Sequence, residues 1–283
     1  MSHTISGVHF LITYACSSQC DHCFVWGAPG RGPGMGVADV DRFLDQLAAT
    51  GSVRSVCAEG GEAFLHYEVV LHFTRRATRL GLAPSALTNA SWVTSRGLAE
   101  ERVAELLAAG LTSLGVSTDQ WHRRYIPLAK VETLLEVCAA AGLQASRMET
   151  SLEGVMFRGR AAHRLARDRP LRPASELTTC PHEQLTAPSR VHLDRYGRLH
   201  LCQGLNLTDA PRAEALVSYD PAAHPIVRHL ADGGPHALAR FAADLGFQPA
   251  PGYADACHLC YCVRRFLRSR FPALLGPDEM YGA

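Results

Sequence analysis

Three cysteines stand within one short run, Cys16-Ser-Ser-Gln-Cys20-Asp-His-Cys23. Thiolates are soft ligands, and three on one loop fall short of the four that close a structural zinc site. They suit three irons of a [4Fe–4S] cube and leave the fourth iron open to a chelating ligand. A partial zinc site is the plainer alternative. Further on, Glu59-Gly60-Gly61-Glu62 joins two glycines to a carboxylate. The glycines let a backbone approach a ligand closely, and Glu62 can accept hydrogen bonds from an ammonium group.

The chain has ten cysteines, and five of them form a second group: Cys180, Cys202, Cys257, Cys260 and Cys262. No basic leader precedes the first apolar stretch, Val8 to Ala15, so no export signal is read. A reducing, cytoplasmic compartment follows, where clustered cysteines bind metal or do redox chemistry. Cys57 and Cys138 read as core residues. Among fourteen histidines none shows H-x3-H or HExxH spacing. His22 and His258 lie beside cysteines of the two groups and can tune or ligate. The run Gly27–Gly36 lacks the Gly-Lys-Ser/Thr ending of a phosphate loop and reads as a flexible connection.

These residues need elements to position them. Four apolar stripes at helical spacing each stop at a glycine: Gly51, Gly81, Gly110 and Gly142. Glycine accepts the left-handed conformation that ends a helix. Strand-like runs follow at 52–58, 82–88, 111–117 and 143–150, and an earlier one spans 9–14. The repeat is about 30 residues, the length of a βα unit. Parallel strands joined this way collect ligands at their carboxyl ends. Cys16, Gly60, Asn89, Ser117 and Asp119 all fall just after or at the end of such a strand. The fold class is therefore α/β, a partial (β/α) barrel over residues 1–174, with a cysteine-rich module over 175–283. In the module, 191–194 and 199–202 flank Tyr196-Gly197, a hairpin signal. Residues 224–231, 235–245 and 257–271 read as helices. The last carries Arg264, Arg265, Arg268 and Arg270, read as a solvated face.

The C-x3-C-x2-C loop after the first strand, with the Gly-Gly-Glu motif at the end of the second, resembles the radical S-adenosylmethionine (radical SAM) superfamily. The resemblance is strong over 8–62 and extends to about 150. His22 departs from it, since that family usually has an aromatic residue before the third cysteine. The resemblance implies that Cys16, Cys20 and Cys23 hold a [4Fe–4S] cluster whose open iron chelates S-adenosylmethionine. Reductive cleavage then gives a 5′-deoxyadenosyl radical that abstracts hydrogen from substrate. It also implies S-adenosylmethionine contacts from Gly60, Gly61, Glu62, Asn89, Ser117 and Asp119. Ser117 can donate to a carboxylate and Asp119 can accept from a diol. Arg147 can pair with the methionine carboxylate, or with a neighbour at the barrel rim.

The second cysteine group resembles the SPASM/twitch extensions of such enzymes, in their single-cluster form. That likeness implies an auxiliary [4Fe–4S] cluster on Cys180, Cys202, Cys257 and Cys260, with Cys262 spare. A structural zinc site on the same four thiols is the alternative. The expected activity is oxidoreductase-type radical chemistry on a peptide or small molecule, ribosomal peptide maturation among them. The absence of a leader-binding domain before the first strand weighs against the ribosomal reading. An electron donor such as flavodoxin or ferredoxin is the expected partner. A non-catalytic iron–sulfur or zinc-binding scaffold is the competing class, but it would need no pocket of this kind. Net charge is +1, which excludes a strongly basic nucleic-acid binder. No run of 18 apolar residues suggests a spanning helix. Lys130 is the sole lysine among 28 Lys plus Arg, which reads as coding bias.

Overall fold

A computed structural model describes residues 5–209, 213 and 215–282. Five βα-type strands come first: β1 (Gly7–Thr13), β2 (Ser55–Gly60), β3 (Ala83–Thr88), β4 (Ser113–Ser117) and β5 (Gln144–Met148). Between them lie α1 (Val37–Ala49), α2 (Tyr67–Arg79), α3 (Arg96–Ala109) and α4 (Leu128–Ala141). The helices form where apolar residues recur at helical spacing. Helix α1, for example, buries Val40, Phe43, Leu44 and Leu47. Gly110 and Gly142 end α3 and α4 at φ +98° and +78°, a conformation that costs other residues more.

Alternation along β1 builds two cores. Val8, Phe10 and Ile12 join the large core under the helices, where the Phe10 and Phe73 rings meet at 5.0 Å. Leu11 points to the other face and packs with Tyr14, Val25, Tyr261, Met280 and Tyr281. The second face is thus closed partly by the C-terminal segment.

The sheet order is β5-β4-β3-β2-β1-β6-β7-β8, where β6 is Arg190–Asp194, β7 Leu199–Cys202 and β8 Leu205–Asn206. Strands β1 to β6 run parallel, whereas β7 and β8 are antiparallel. The sheet is not closed between β5 and β8, which makes it a partial barrel. The hairpin expected at Tyr196-Gly197 is present, and Asp194 Oδ1 accepts from the backbone of Tyr196 and Arg198. Strand β6 pairs with β1 from Gly7↔Arg190 to Leu11↔Asp194. The barrel sheet therefore runs through the boundary drawn at 174/175.

The remaining helices are α5 (Arg160–Arg164), α6 (Ala215–Ser218), α7 (Val227–Ala243) and α8 (Ala256–Leu267). The helix expected from residue 224 starts at Val227, with Ile226 at its N-cap, and His224 lies in the turn before it. Its Nδ1 accepts from the backbone of Ile226 and Val227. The two expected segments meet at a break in α7, where Gly233 and Gly234 leave helical geometry just before Pro235. The reading of four solvated arginines needs correction. Arg265 and Arg270 are exposed and Arg268 is half-buried, but Arg264 is only 1% exposed. Cys257, Cys260 and Arg264 are spaced three and seven apart on α8, so they share one inward face.

Candidate active site

The loop after β1 carries the first cysteines into a cavity of roughly 250 Å³ at the carboxyl ends of the strands. Cys16, Cys20 and Cys23 all line it. The loop folds back on itself: Cys16 N–H donates to Ala28 O at 3.0 Å, and Gly27 N–H donates to Cys23 Sγ at 3.2 Å. Burial pushes the Cys16 thiol up to about 12, and raises Cys20 further. The neighbouring sulfurs add to this, since two thiolates side by side repel. Metal binding would offset that cost and release the protons.

Gly60 and Gly61 serve a closer purpose than ligand approach. Gly61 N–H donates to Thr13 O at 2.7 Å, and Glu62 N–H donates to Ala15 O at 2.8 Å. A Cβ on Gly60 would lie 2.3 Å from Thr13 O, and one on Gly61 would lie 2.3 Å from Ala15 O. The glycines thus let the end of β2 press against the start of the cysteine loop. Both also line the cavity. Glu62 is buried and largely committed. Its Oε1 accepts from Thr88 Oγ1 at 2.8 Å and from Phe64 N–H at 3.0 Å. Its Oε2 accepts from Asn89 N–H at 2.7 Å, which leaves acceptor capacity on that oxygen. Burial raises its pKa.

Asn89 reaches the loop directly: its Nδ2 lies 3.1 Å from Ser17 Oγ and 3.6 Å from Cys16 Sγ. Asp119 sits where β4 ends, and its Oδ1 accepts from the backbone of Trp121 and His122 at 3.1 Å each. Burial disfavours its charge, yet hydrogen bonds from His122 and His22 hold the carboxyl well below the usual range. His22 Nε2 is 3.4 Å from Asp119 Oδ2, and its ring stacks on Trp121 at 4.6 Å. A planar ring is therefore kept at this position, with an added polar tie. Ser117, Asn89 and Asp119 line the cavity with Gly60, Gly61 and Glu62. Arg147 does not. It is exposed on β5 and pairs in register with Val116, whose side chain joins the core under the helices. Met148, the next residue, pairs with Ser117 and lines the cavity. Period-two alternation turns Arg147 to the opposite face.

The cavity wall supports occupation by a polar group. Ser18 Oγ and His22 Nδ1 are buried in it and find no hydrogen-bond partner among the described residues. Buried polar atoms without partners are costly.

The second cysteine group also converges. Cys180, Cys202, Cys257 and Cys260 line one small cavity, and Cys262 is not among its walls. Burial pushes the Cys260 thiol up to about 11 and raises Cys180 and Cys257 as well. The sulfur of Cys202 contributes to all three shifts. Cys57 and Cys138 are buried in the protein interior, outside both cavities.

Several residues escaped the sequence reading. Arg160 is buried and clamps the cysteine loop: Nη1 donates to Cys20 O at 2.8 Å and Nη2 to Gly27 O at 2.7 Å. Glu59 lines the first cavity and accepts from His9 Nδ1 at 3.0 Å and His192 Nδ1 at 2.6 Å. Burial opposes its charge, but the two histidines hold its carboxyl well below the usual range. Arg158 and Glu183 line the second cavity and pair at 3.2 Å. Only the spacing of Arg158-Gly-Arg160 could have drawn notice, within a segment already rich in arginine.

Comparison with known proteins agrees with this geometry. Residues 10–161 match the family described as the Radical SAM superfamily. An S-adenosylmethionine-dependent nucleotide dehydratase of Psychrobacter lutiphocae is 27% identical over 124 residues, 40% of each chain. A GTP 3′,8-cyclase of Aeromonas hydrophila subsp. hydrophila is 28% identical over 168 residues, 54% of this chain and 46% of the relative. The match thus spans less than half the length of either curated relative. The open conformation of BtrN shares the fold at TM-score 0.51 and 14% identity, over 83% of this chain and 89% of that one. The family match covers more than half of the sequence and contains the cysteine loop, the Gly-Gly-Glu turn and the polar strand ends, so the chain belongs to the radical SAM superfamily.

Proposed function

We propose that Cys16, Cys20 and Cys23 hold the family's [4Fe–4S] cluster. In this reading S-adenosylmethionine lies against Gly60, Gly61, Glu62, Asn89, Ser117 and Asp119. The observation that carries the proposal is convergence: three loop thiols and six strand-end residues line one cavity of roughly 250 Å³. Together, cluster and S-adenosylmethionine supply one-electron cleavage to a hydrogen-abstracting radical. The chain's own part is binding and shielding. Oε2 of Glu62 retains capacity to accept from an ammonium group. Asn89, tied to Ser17, holds an amide beside Cys16. Asp119 stays ionised through His22 and His122, and can accept from a pair of hydroxyls.

The second site, on Cys180, Cys202, Cys257 and Cys260, holds an auxiliary [4Fe–4S] cluster in this proposal. Residues 175–283 then act as a cluster-bearing module that shares the barrel sheet. The substrate is a peptide or a small molecule, and a flavodoxin or ferredoxin supplies electrons. No helix among the described residues is long and apolar enough to cross a membrane. Anaerobic reconstitution tests the reading. With dithionite and S-adenosylmethionine the protein is expected to release 5′-deoxyadenosine. No release from iron-loaded protein overturns it. A Cys16/Cys20/Cys23→Ala variant that keeps about four irons and sulfides supports the second cluster; zinc there instead overturns that part.

A further inference from the structure

Two guanidiniums are buried around the second cavity. Arg158 is 4% exposed and Arg264 is 1% exposed, and both line the site with the four cysteines. A buried cation is tolerated only with opposite charge close by. Arg158 has a partial answer in Glu183, which its Nη1 and Nη2 reach at 3.2 and 3.3 Å. Arg264 has none: its Nη1 donates to Gln203 O at 2.9 Å, and no carboxylate among the described residues pairs with it. Both cations lean on the same sulfur. Arg158 Nη1 lies 2.6 Å from Cys202 Sγ, and Arg264 Nη2 lies 3.8 Å from it. Their Nε atoms are buried with no hydrogen-bond partner among the described residues. The wall therefore holds more positive charge and more N–H donors than its own side chains satisfy.

We propose that Arg158 and Arg264 are the charge partners of the cluster on Cys180, Cys202, Cys257 and Cys260, and that they raise its reduction potential. The inference rests on the reading of this site as an iron–sulfur cluster. A [4Fe–4S] core with four thiolates carries net negative charge, and reduction adds one electron more. A fixed cation in a low-dielectric wall stabilises the reduced form more than the oxidised one. Cluster sulfides also accept hydrogen bonds, which lowers the cost of electron uptake further. Arg158 links this site to the first cavity as well. Its guanidinium lies 5.3 Å from the Phe24 ring, and Phe24 lines the first cavity beside Cys23.

The test uses the full chain with Cys16, Cys20 and Cys23 replaced by Ala, reconstituted anaerobically, so that only the second site holds iron. Redox titration followed by electron paramagnetic resonance is then compared with added Arg264→Gln, Arg264→Lys, Arg158→Gln and Arg158→Lys. At the parent midpoint, each Gln variant is expected to lower the reduced-to-oxidised ratio about tenfold, about 59 mV. The Lys variants, which keep the charge, recover most of it. Iron lost from the Gln variants but kept in the Lys variants supports the same role. A ratio unchanged within twofold, or equal loss in Gln and Lys, overturns the inference while the cluster reading stands. A parent that binds zinc or no iron overturns the cluster reading itself, and the metal analysis reports that before any titration.

Discussion

Replacing Arg160 with Met should loosen the first cysteine loop more than any change on the loop's exposed side. The thioether keeps much of the stem but removes both donors. Arg160 Nη1 and Nη2 reach Cys20 O and Gly27 O, at 2.8 and 2.7 Å, on either side of Cys23. Hydrogen bonds from a charged donor contribute about 1.5–3 kcal/mol each, so the pair contributes about 3–6 kcal/mol. The backbone bond from Arg160 N–H to Cys23 O, at 2.9 Å, survives the substitution. We therefore expect the lower end, about 3 kcal/mol, or about a hundredfold in the equilibrium between closed and open loop. Urea unfolding should show a loss of that size, a large part of the 5–15 kcal/mol typical of a whole fold. Reconstituted protein should also yield its iron to a chelator much faster. Arg160→Lys, which can reach only one carbonyl, should fall between the two. An Arg160→Met protein that retains iron like the parent and unfolds within about 0.5 kcal/mol of it would refute the clamp.

Other consequences are as direct. Gly61→Ala would set a Cβ 2.3 Å from Ala15 O, so the start of the cysteine loop must shift; iron content after reconstitution should fall sharply, and a normal content would show that the turn yields. Glu59 has a depressed folded-state pKa, so its stabilisation is full above the ordinary carboxylate range and is lost as pH falls below about 4.3. Burial lowers the His192 pKa, so the unfolded chain takes up that proton first and stability already declines below about pH 6.5. Glu59→Gln should flatten the acid limb of urea midpoints measured against pH, and an unaltered limb would count against the contact of Glu59 with the two histidines. Cys262→Ser should leave the iron of the second site in place, whereas Cys202→Ser should remove it; equal behaviour of the two would reverse the ligand choice. Asp119→Asn, which cannot stay ionised, should raise the KM for S-adenosylmethionine several-fold with a smaller effect on kcat, readable from 5′-deoxyadenosine release.

What could be read from sequence follows the range of the interactions. Helices α1 to α4 and strands β1 to β5 are set by local apolar periodicity and by glycines at helix ends, so the repeat of about 30 residues exposed them. The cysteine triplet is equally local. Residues 151–189 show no such period, and their order comes from distant partners. Arg158 meets Cys202 and Glu183, and Arg160 meets Cys20 and Gly27. Gly159, between them, sits at φ +59° with its α-carbon so close to Phe24 that a Cβ would lie 2.5 Å from that carbonyl oxygen. No pattern within the segment encodes those contacts. The pairing of β6 with β1 was hidden for the same reason: the hairpin signal names β7 as neighbour and is silent about the other edge. Arg147 shows the opposite case, where alternation along β5 alone decides the facing once Met148 is placed on the cavity side. Counting in twos from Met148 would have turned Arg147 away from the strand-end cavity.

The segment without a period is also what joins the two cysteine sites. Val155 and Met156 wall the first cavity, Arg158 walls the second, and Arg160 holds the loop that carries Cys20 and Cys23. The six-residue stretch 155–160 thus reaches both centres, and a regular helix or strand would place successive side chains on faces fixed by its period. The irregular path, turned by Gly159, sends Arg158 and Arg160 to different centres. A substitution at Gly159 should therefore disturb both sites together. Gly159→Ala meets the Phe24 backbone and a positive φ at once, so iron should fall at the first and second sites in the same preparation. Loss confined to one site would show that the segment's two ends act independently.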